Sequence, residues 1–241
     1  MMNYPDYMLR GMSEPVFPKI DGVMVAVVTN NKDPEGLARV KLKLPLREAE
    51  TETDWVRIAT LMAGKDRGSL FIPEVGDEVL VAFHLGEIRQ PFVIGTLWSK
   101  TQPSPKGNDK NNLRKFKSRA GHELEFDDDD ADAKVTIKTK KGQTIVFSDK
   151  QDTIDIHEQS GNNAIQIKGA SANEITIKSS TSVIKLNATG DVSIESSKAI
   201  TLKSTQVQIE ASATMALKAG ASLDIKSDGI ITMKGSMVKI N

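Results

Sequence analysis

From Lys134 onward the chain is built on one small unit: an apolar residue, any residue, a second apolar residue, then a few polar or small ones. Instances run through Val135-Thr-Ile137, Ile154-Asp-Ile156, Ile165-Gln-Ile167, Ile175-Thr-Ile177, Ile184-Lys-Leu186 and Val192-Ser-Ile194. They continue as Ile200-Thr-Leu202, Val207-Gln-Ile209, Met215-Ala-Leu217, Leu223-Asp-Ile225, Ile231-Thr-Met233 and Val238-Lys-Ile240. From Ile156 on, steps between second apolar positions shrink from 11, 10 and 9 residues to 8, with two 7s. Residues two apart on a strand face the same side, so each unit sends two aliphatic side chains one way and a polar one the other. No Phe, Tyr or Trp follows Phe147, and no Pro follows Pro105. Such a stretch lacks the bulk for a thick core and the breakers of a linker. It reads as a β-solenoid-like rod that tightens toward its C-terminus.

Lys138, Lys168, Lys178, Lys203, Lys218, Lys226 and Lys234 each follow a second apolar position and are expected to face solvent. Two aliphatics per unit fill only a thin core. A lone chain could wrap them as a three-sided coil, or three chains could interleave as a triangular prism; both remove most open strand edges. The repeat runs to Ile240 with only Asn241 after it, without the polar cap a monomeric solenoid needs. That favours a homotrimer whose core is Ile156, Ile167, Ile177, Leu186, Ile194, Leu202, Ile209, Leu217, Ile225 and Met233. At about 4.8 Å per layer, some twelve or thirteen units would give a rod roughly 60 Å long.

The first half follows a different pattern. Gly22–Val28 is a near-continuous apolar run, and Ala38–Leu44 alternates strictly, with Val40, Leu42 and Leu44 opposite Arg39, Lys41 and Lys43. Trp55–Leu61, Glu78–His84 and Pro91–Trp98 follow, separated by turn residues. Five short strands in about 80 residues predict a small OB-type barrel, with Trp55 and Trp98 as core or seam residues. Lys100 to Leu113, rich in Pro, Ser, Gly, Asn and Lys, reads as a linker. The expected division is an N-terminal extension at 1–20, barrel at 21–99, linker at 100–120 and rod at 121–241. The fold class expected is all-β, an N-terminal OB-fold barrel followed by a C-terminal intertwined trimeric β-helix (a triangular β-prism).

Thirty-two basic residues balance thirty-two acidic ones, so no global field draws nucleic acid or anionic membrane. Single-strand binders interleave aromatics with their basic groove; Arg39, Lys41 and Lys43 have none between them, and no nucleic-acid partner is expected. No apolar run is long enough to span a bilayer, and Met1 to Ile20 shows no secretion signal. The chain has no cysteine, which excludes disulfides and thiolate chemistry. His84, His122 and His157 show no metal-ligand spacing, and Asp127 to Asp130 lacks the spaced ligands and glycine of a calcium loop. No nucleophile elbow, phosphate loop or zinc motif occurs. No enzyme activity, cofactor or metal is expected.

Gly22-Val-Met-Val-Ala-Val-Val-Thr-Asn-Asn-Lys-Asp-Pro-Glu-Gly36 followed by Ala38-Arg-Val-Lys-Leu42 resembles the opening of the baseplate-assembly V family of contractile phage tails. So does Ile72-Pro-Glu-Val-Gly-Asp-Glu-Val-Leu-Val-Ala-Phe-His84, continuing into Arg89-Gln-Pro-Phe-Val-Ile-Gly-Thr-Leu-Trp98. The VgrG spikes of type VI secretion and the spikes of extracellular contractile injection systems are similar. Gly121-His-Glu-Leu-Glu-Phe126 resembles the way those spikes lead into their helix.

The resemblance implies a structural central spike: a homotrimer among baseplate components that docks on a hub and inner tube and is driven through a target membrane. It would be assembled in the bacterial cytoplasm and carried on a phage tail-like particle. With the barrel starting near Asp21, the hub is expected to be a separate chain, docked through Tyr4, Tyr7, Leu9 and Phe17. Some similar spikes end in a histidine-bearing metal apex, which this tail lacks. Met233, Met237, Val238, Ile240 and Asn241 are therefore expected to carry a separate, conical PAAR-type tip protein. The alternative is a monomeric β-solenoid adhesin or carbohydrate-binding protein, which predicts exposed aromatics along one rod face.

Overall fold

The computed structural model describes residues 19–45 and 52–240. Every strand belongs either to a small barrel or to one long antiparallel sheet, apart from a short hairpin on the barrel's flank.

Seven strands lie in the first part: β1 (Val23–Asn30), β2 (Lys41–Lys43), β3 (Arg57–Ile58), β4 (Ala63–Gly64), β5 (Arg67–Gly68), β6 (Glu78–Phe83) and β7 (Pro91–Leu97). Five form a sheet in the order β2-β1-β6-β7-β3, antiparallel except for the β3–β7 pair. A bridge between Val40 and Val56 joins its two edges, with reciprocal backbone hydrogen bonds of 3.0 and 2.8 Å. This closes the barrel. Period-two alternation explains the core: Val79, Val81 and Phe83 of β6 point in, as do Ala26 and Val28 of β1 and Val40, Leu42 and Leu44 around β2. Val40, Leu42, Val79, Val81 and Val93 are fully inaccessible. Four of the five strands lie within the runs expected from the sequence, and β1 runs two residues past Gly22–Val28, to Asn30. Trp98 does not enter the core; it is 74% exposed where the barrel meets the following segment. Trp55 is half-buried, with Lys41 Nζ 5.5 Å from its ring centre.

The loop after β1 is held by one carboxylate. Asp33 accepts backbone hydrogen bonds from Glu35, Leu37 and Arg39, and both its oxygens accept from the Arg39 guanidinium at 2.8 Å. The bidentate Arg39 contact, followed by the three backbone N–H groups, holds the Asp33 carboxyl well below the usual carboxylate range. The same contact pushes the Arg39 guanidinium further up. Arg39 is thus a half-buried loop anchor, not part of an exposed basic face.

The second part is a meander of nine strands: β8 (Leu113–Lys117), β9 (Glu123–Asp127), β10 (Lys134–Lys138), β11 (Thr144–Ser148), β12 (Thr153–His157), β13 (Asn163–Lys168), β14 (Glu174–Ser179), β15 (Ser182–Leu186) and β16 (Val192–Ser196). Each pairs antiparallel with its predecessor in a single sheet. The first strand starts at Leu113, inside the segment read from the sequence as linker. The described chain therefore makes a single sheet rather than a three-sided coil.

One end of the meander turns the same way each time. The N–H groups of Gly121, Gly142 and Gly161 donate to the carbonyls of Ser118, Thr139 and Glu158 at 2.9–3.0 Å. All three glycines have positive φ (90, 88 and 71°), as does Ser180 (51°) at the next turn on that side. A tight turn followed by a left-handed residue suits the strand twist, and glycine adopts that conformation without Cβ strain.

Beyond β16 the character changes. Residues 197–240 carry no strand, all are exposed, and none of the described backbone hydrogen bonds involves them.

Leu42→Ala should cost the barrel about 2–5 kcal/mol, since it deletes a fully buried side chain in a closed core. Chemical denaturation followed by Trp55 fluorescence measures that loss.

Candidate functional site

The meander has two unlike faces, set by the strand alternation. Its register aligns Phe116, Leu124, Ile137, Ile145, Ile156, Ile165, Ile177, Ile184 and Ile194 in one cross-strand row. A second row on the same face runs Arg114, Phe126, Val135, Phe147, Ile154, Ile167, Ile175, Leu186 and Val192. Apart from Arg114 both rows are apolar from end to end, phenylalanine near the barrel giving way to isoleucine beyond, with Asn163, Ser179, Ser182 and Ser196 beside the first row at one margin. No described residue covers the face: Ile156, Ile165, Ile177 and Ile184 stay 38–43% exposed in the middle of the sheet.

The opposite face is polar and paired. Lys115 meets Glu125, Lys117 meets Glu123, and the Gln166 amide donates to Asp155 at 2.6 Å. Glu174 accepts from Lys168 at 2.8 Å and Lys185 at 2.5 Å. These two contacts, Lys168 first, hold the Glu174 carboxyl at about 2. Glu158, in a turn, is held at about 2 by the Ser160 hydroxyl and the N–H groups of Ser160, Asn163 and Asn162. Of the lysines expected to face solvent, Lys138 and Lys178 are exposed, whereas Lys168 is half-buried against Glu174.

Among the residues expected to form a trimer core, Ile156, Ile177 and Ile194 share the first row and Ile167 and Leu186 the second. Leu202, Ile209, Leu217, Ile225 and Met233 lie beyond the sheet, all exposed. The sequence reading named only second apolar positions. The first apolar positions Ile154, Ile165, Ile175 and Ile184, which each unit sends to the same side, complete the rows, together with Ile145, which belongs to none of the quoted units. Antiparallel strands reverse at every turn, so the first apolar residue of one strand lies opposite the second of the next: Ile165 faces Ile156, and Ile154 faces Ile167. Strand reversal was the signal available for them.

Met233, Met237, Val238 and Ile240 are exposed and in no element. Tyr4, Tyr7, Leu9, Phe17 and Asn241 lie outside the described residues. His84 follows β6, His122 sits in the β8–β9 turn and accepts a hydrogen bond from the Lys140 N–H, and His157 ends β12. Among the described residues no three His, Cys, Asp or Glu side chains gather as a metal-binding group. The acidic run turns between β9 and β10; the Ala131 N–H, then Lys110, lower the Asp129 pKa. Also among the described residues, no helix is long and apolar enough to cross a membrane.

A closed OB barrel thus leads into a sheet with one apolar and one polar face. Residues 24–98 match the family described as the type VI secretion system/phage-baseplate injector OB domain. The chain is 30% identical over 139 residues to the type VI secretion system spike protein VgrG2a of Pseudomonas aeruginosa, covering 52% of this chain and 16% of that one. It is 28% identical over 156 residues to the spike protein VgrG3 of Vibrio cholerae, covering 59% and 15%. The actin cross-linking toxin VgrG1 of Vibrio cholerae is 32% identical over 96 residues, covering 36% and 9%. The chain thus spans under a fifth of the length of these relatives. Its barrel is similar to the injector OB domain, and the longer matches make the chain similar to VgrG spike proteins.

Glu174 sets a pH test. Its folded pKa lies below the ordinary 4.5, so its contacts stabilise the sheet above that value and are lost as pH falls toward about 2. Glu174→Gln should melt below the parent at pH 7 and converge with it near pH 2. Circular-dichroism melts across that range measure the difference, which also separates Glu174 from Glu158.

Proposed function

We propose that the chain is one of three identical subunits of the central spike of a contractile injection machine, a non-enzymatic rod driven through a target envelope. The observation that carries this is the two-row apolar face, which no part of the described chain covers. Leaving it in water would forfeit most of the stabilisation that burial supplies, roughly 25 cal/mol per Å².

Strand length argues for three copies. Facing sheets pack about 10 Å apart, so each would sit about 5 Å from a shared axis. A triangle with that inner radius has sides of about 17 Å, the span of five residues at about 3.4 Å each. Most strands of the meander have five residues. Two copies would bury the rows but leave both flanks of the sandwich open.

The tail supports the same count. Apolar pairs recur every 7 or 8 residues there, yet residues 197–240 carry no strand and enter none of the described backbone hydrogen bonds. Residues 197–240 therefore do not continue the meander. In a three-chain rod each unit can pass to the next face and stack on a neighbour's strand, so its backbone groups find partners between chains. Leu202, Ile209, Leu217, Ile225 and Met233 then extend the core.

The remaining assignments follow from the family. The barrel end, with Tyr4, Tyr7, Leu9 and Phe17, docks on a hub continuous with the inner tube. The exposed Met233, Met237, Val238 and Ile240, with Asn241, seat a separate PAAR-type tip. The spike is assembled with baseplate components in a bacterial cytoplasm and carried on a phage tail-like particle.

Light scattering should give a particle of three times 26.3 kDa; a monomer at micromolar concentration overturns the proposal. Ile165→Lys, in the centre of the first row, should abolish the trimer while the barrel still unfolds cooperatively. Size exclusion with near-ultraviolet circular dichroism follows both.

A further inference from the structure

The barrel carries an apolar loop that its own core does not use. Around the β4–β5 hairpin, Leu61 and Met62 on one side and Leu70 and Phe71 on the other are all exposed, Phe71 by 69%. The base of the loop is pinned: Ser69 N–H donates to the Met62 carbonyl at 3.0 Å, and the Thr60 hydroxyl donates to the Ser69 carbonyl at 2.7 Å. The apolar side chains thus flank the hydrogen-bonded base of the hairpin, whose tip is Lys65-Asp66.

Among the described residues its aromatic contact links it to the rod. Phe71 stacks on Phe116 with ring centres 6.3 Å apart and planes 19° from parallel. Phe116 heads the first apolar row on β8, the sheet's terminal strand. The row therefore runs past the sheet onto the barrel. An ion pair between Arg119 and Glu74 at 3.1 Å fixes the same junction, tying the β8–β9 turn to the segment just after Phe71.

We propose that Phe71 from three copies closes the barrel end of the rod's bore, so that the partner covering this loop is a second copy of this chain. The inference rests on the three-sheet reading above. Three apolar faces about 5 Å from a common axis bring their Phe116 side chains together there. Whatever stacks on each Phe116 is carried to the axis as well, and three-fold symmetry places the three Phe71 rings against one another. Without that layer, water reaches the row at Phe116 and Leu124. The plug is built from the barrel because β8 has no further strand beyond it to supply one.

The absence of native cysteine makes Phe71→Cys the only thiol per chain, and the residue lies outside the barrel core, so the variant keeps its fold. After treatment with a short bis-maleimide, the trimer of Phe71→Cys should run on a denaturing gel with up to about two thirds of its chains as covalent dimers, two of three symmetric thiols being linked. Lys178→Cys, on the polar face, should remain uncrosslinked. In the parallel variant Phe71→Ser, backbone amides of β8 and β9 should exchange about tenfold faster, with β12 to β14 unchanged.

A trimer by light scattering that fails to crosslink through position 71 overturns the plug and leaves the trimer standing. A monomer overturns the trimer reading and the plug with it. Equal crosslinking at positions 71 and 178 reports random collision and also overturns the plug, as does unaltered exchange in β8 and β9.

Discussion

The meander's apolar face is the constraint on which the rest depends. Nine strands satisfy one another's backbone groups along the sheet, yet every second side chain is left on a surface with nothing over it. A single-layer sheet cannot resolve this within itself, because each strand pairs only with its sequence neighbours and no described residue folds back across the face. The polar side solves its own problem locally, through Lys115–Glu125, Asp155–Gln166 and the Glu174 cluster. Asymmetry between faces turns a long sheet into a component that requires copies of itself or a partner.

The barrel sits in the opposite regime. Val40, Leu42, Val79, Val81 and Val93 are sealed by the sheet's own closure, and the Val40–Val56 bridge removes the open edges. Asp33 uses five hydrogen bonds to hold one loop, whose start is also tied across the barrel by the Asn31 amide donating to the Pro73 carbonyl. The two halves therefore have different folding logics, one complete in a single chain and the other dependent on assembly. Phe71 and Glu74 belong to the first half but contact the second, so the junction is where self-sufficient structure meets structure that needs neighbours.

Much of this was legible in the residues. Strict alternation over Ala38–Leu44 and Glu78–His84 marked barrel strands because one side of each had to be apolar. The apolar-x-apolar unit marked strands at Ile154–Ile156 and Ile165–Ile167 for the same reason. Less legible was which isoleucines lie side by side, since that depends on the direction of each strand. Trp98 also misled: a large aromatic in an apolar run suggests burial, but its strand ends at Leu97 and leaves the ring at the surface. Phe71 left no periodic trace, because it belongs to a loop and its partner Phe116 lies in a segment that reads as linker.

By itself the sequence determined that the chain is all-β, that its halves are built differently, and that the second half presents two apolar residues per unit on one side. These are local facts, carried by side-chain period and by the residues that turns require. Only the tertiary structure decided that the units up to Ser196 form one antiparallel face, that opposed first and second apolar positions merge into two continuous rows, and that the first row reaches the barrel through Phe71. The physical reason is that strand direction and register are set by hydrogen bonding between segments, which the period of any one segment does not encode.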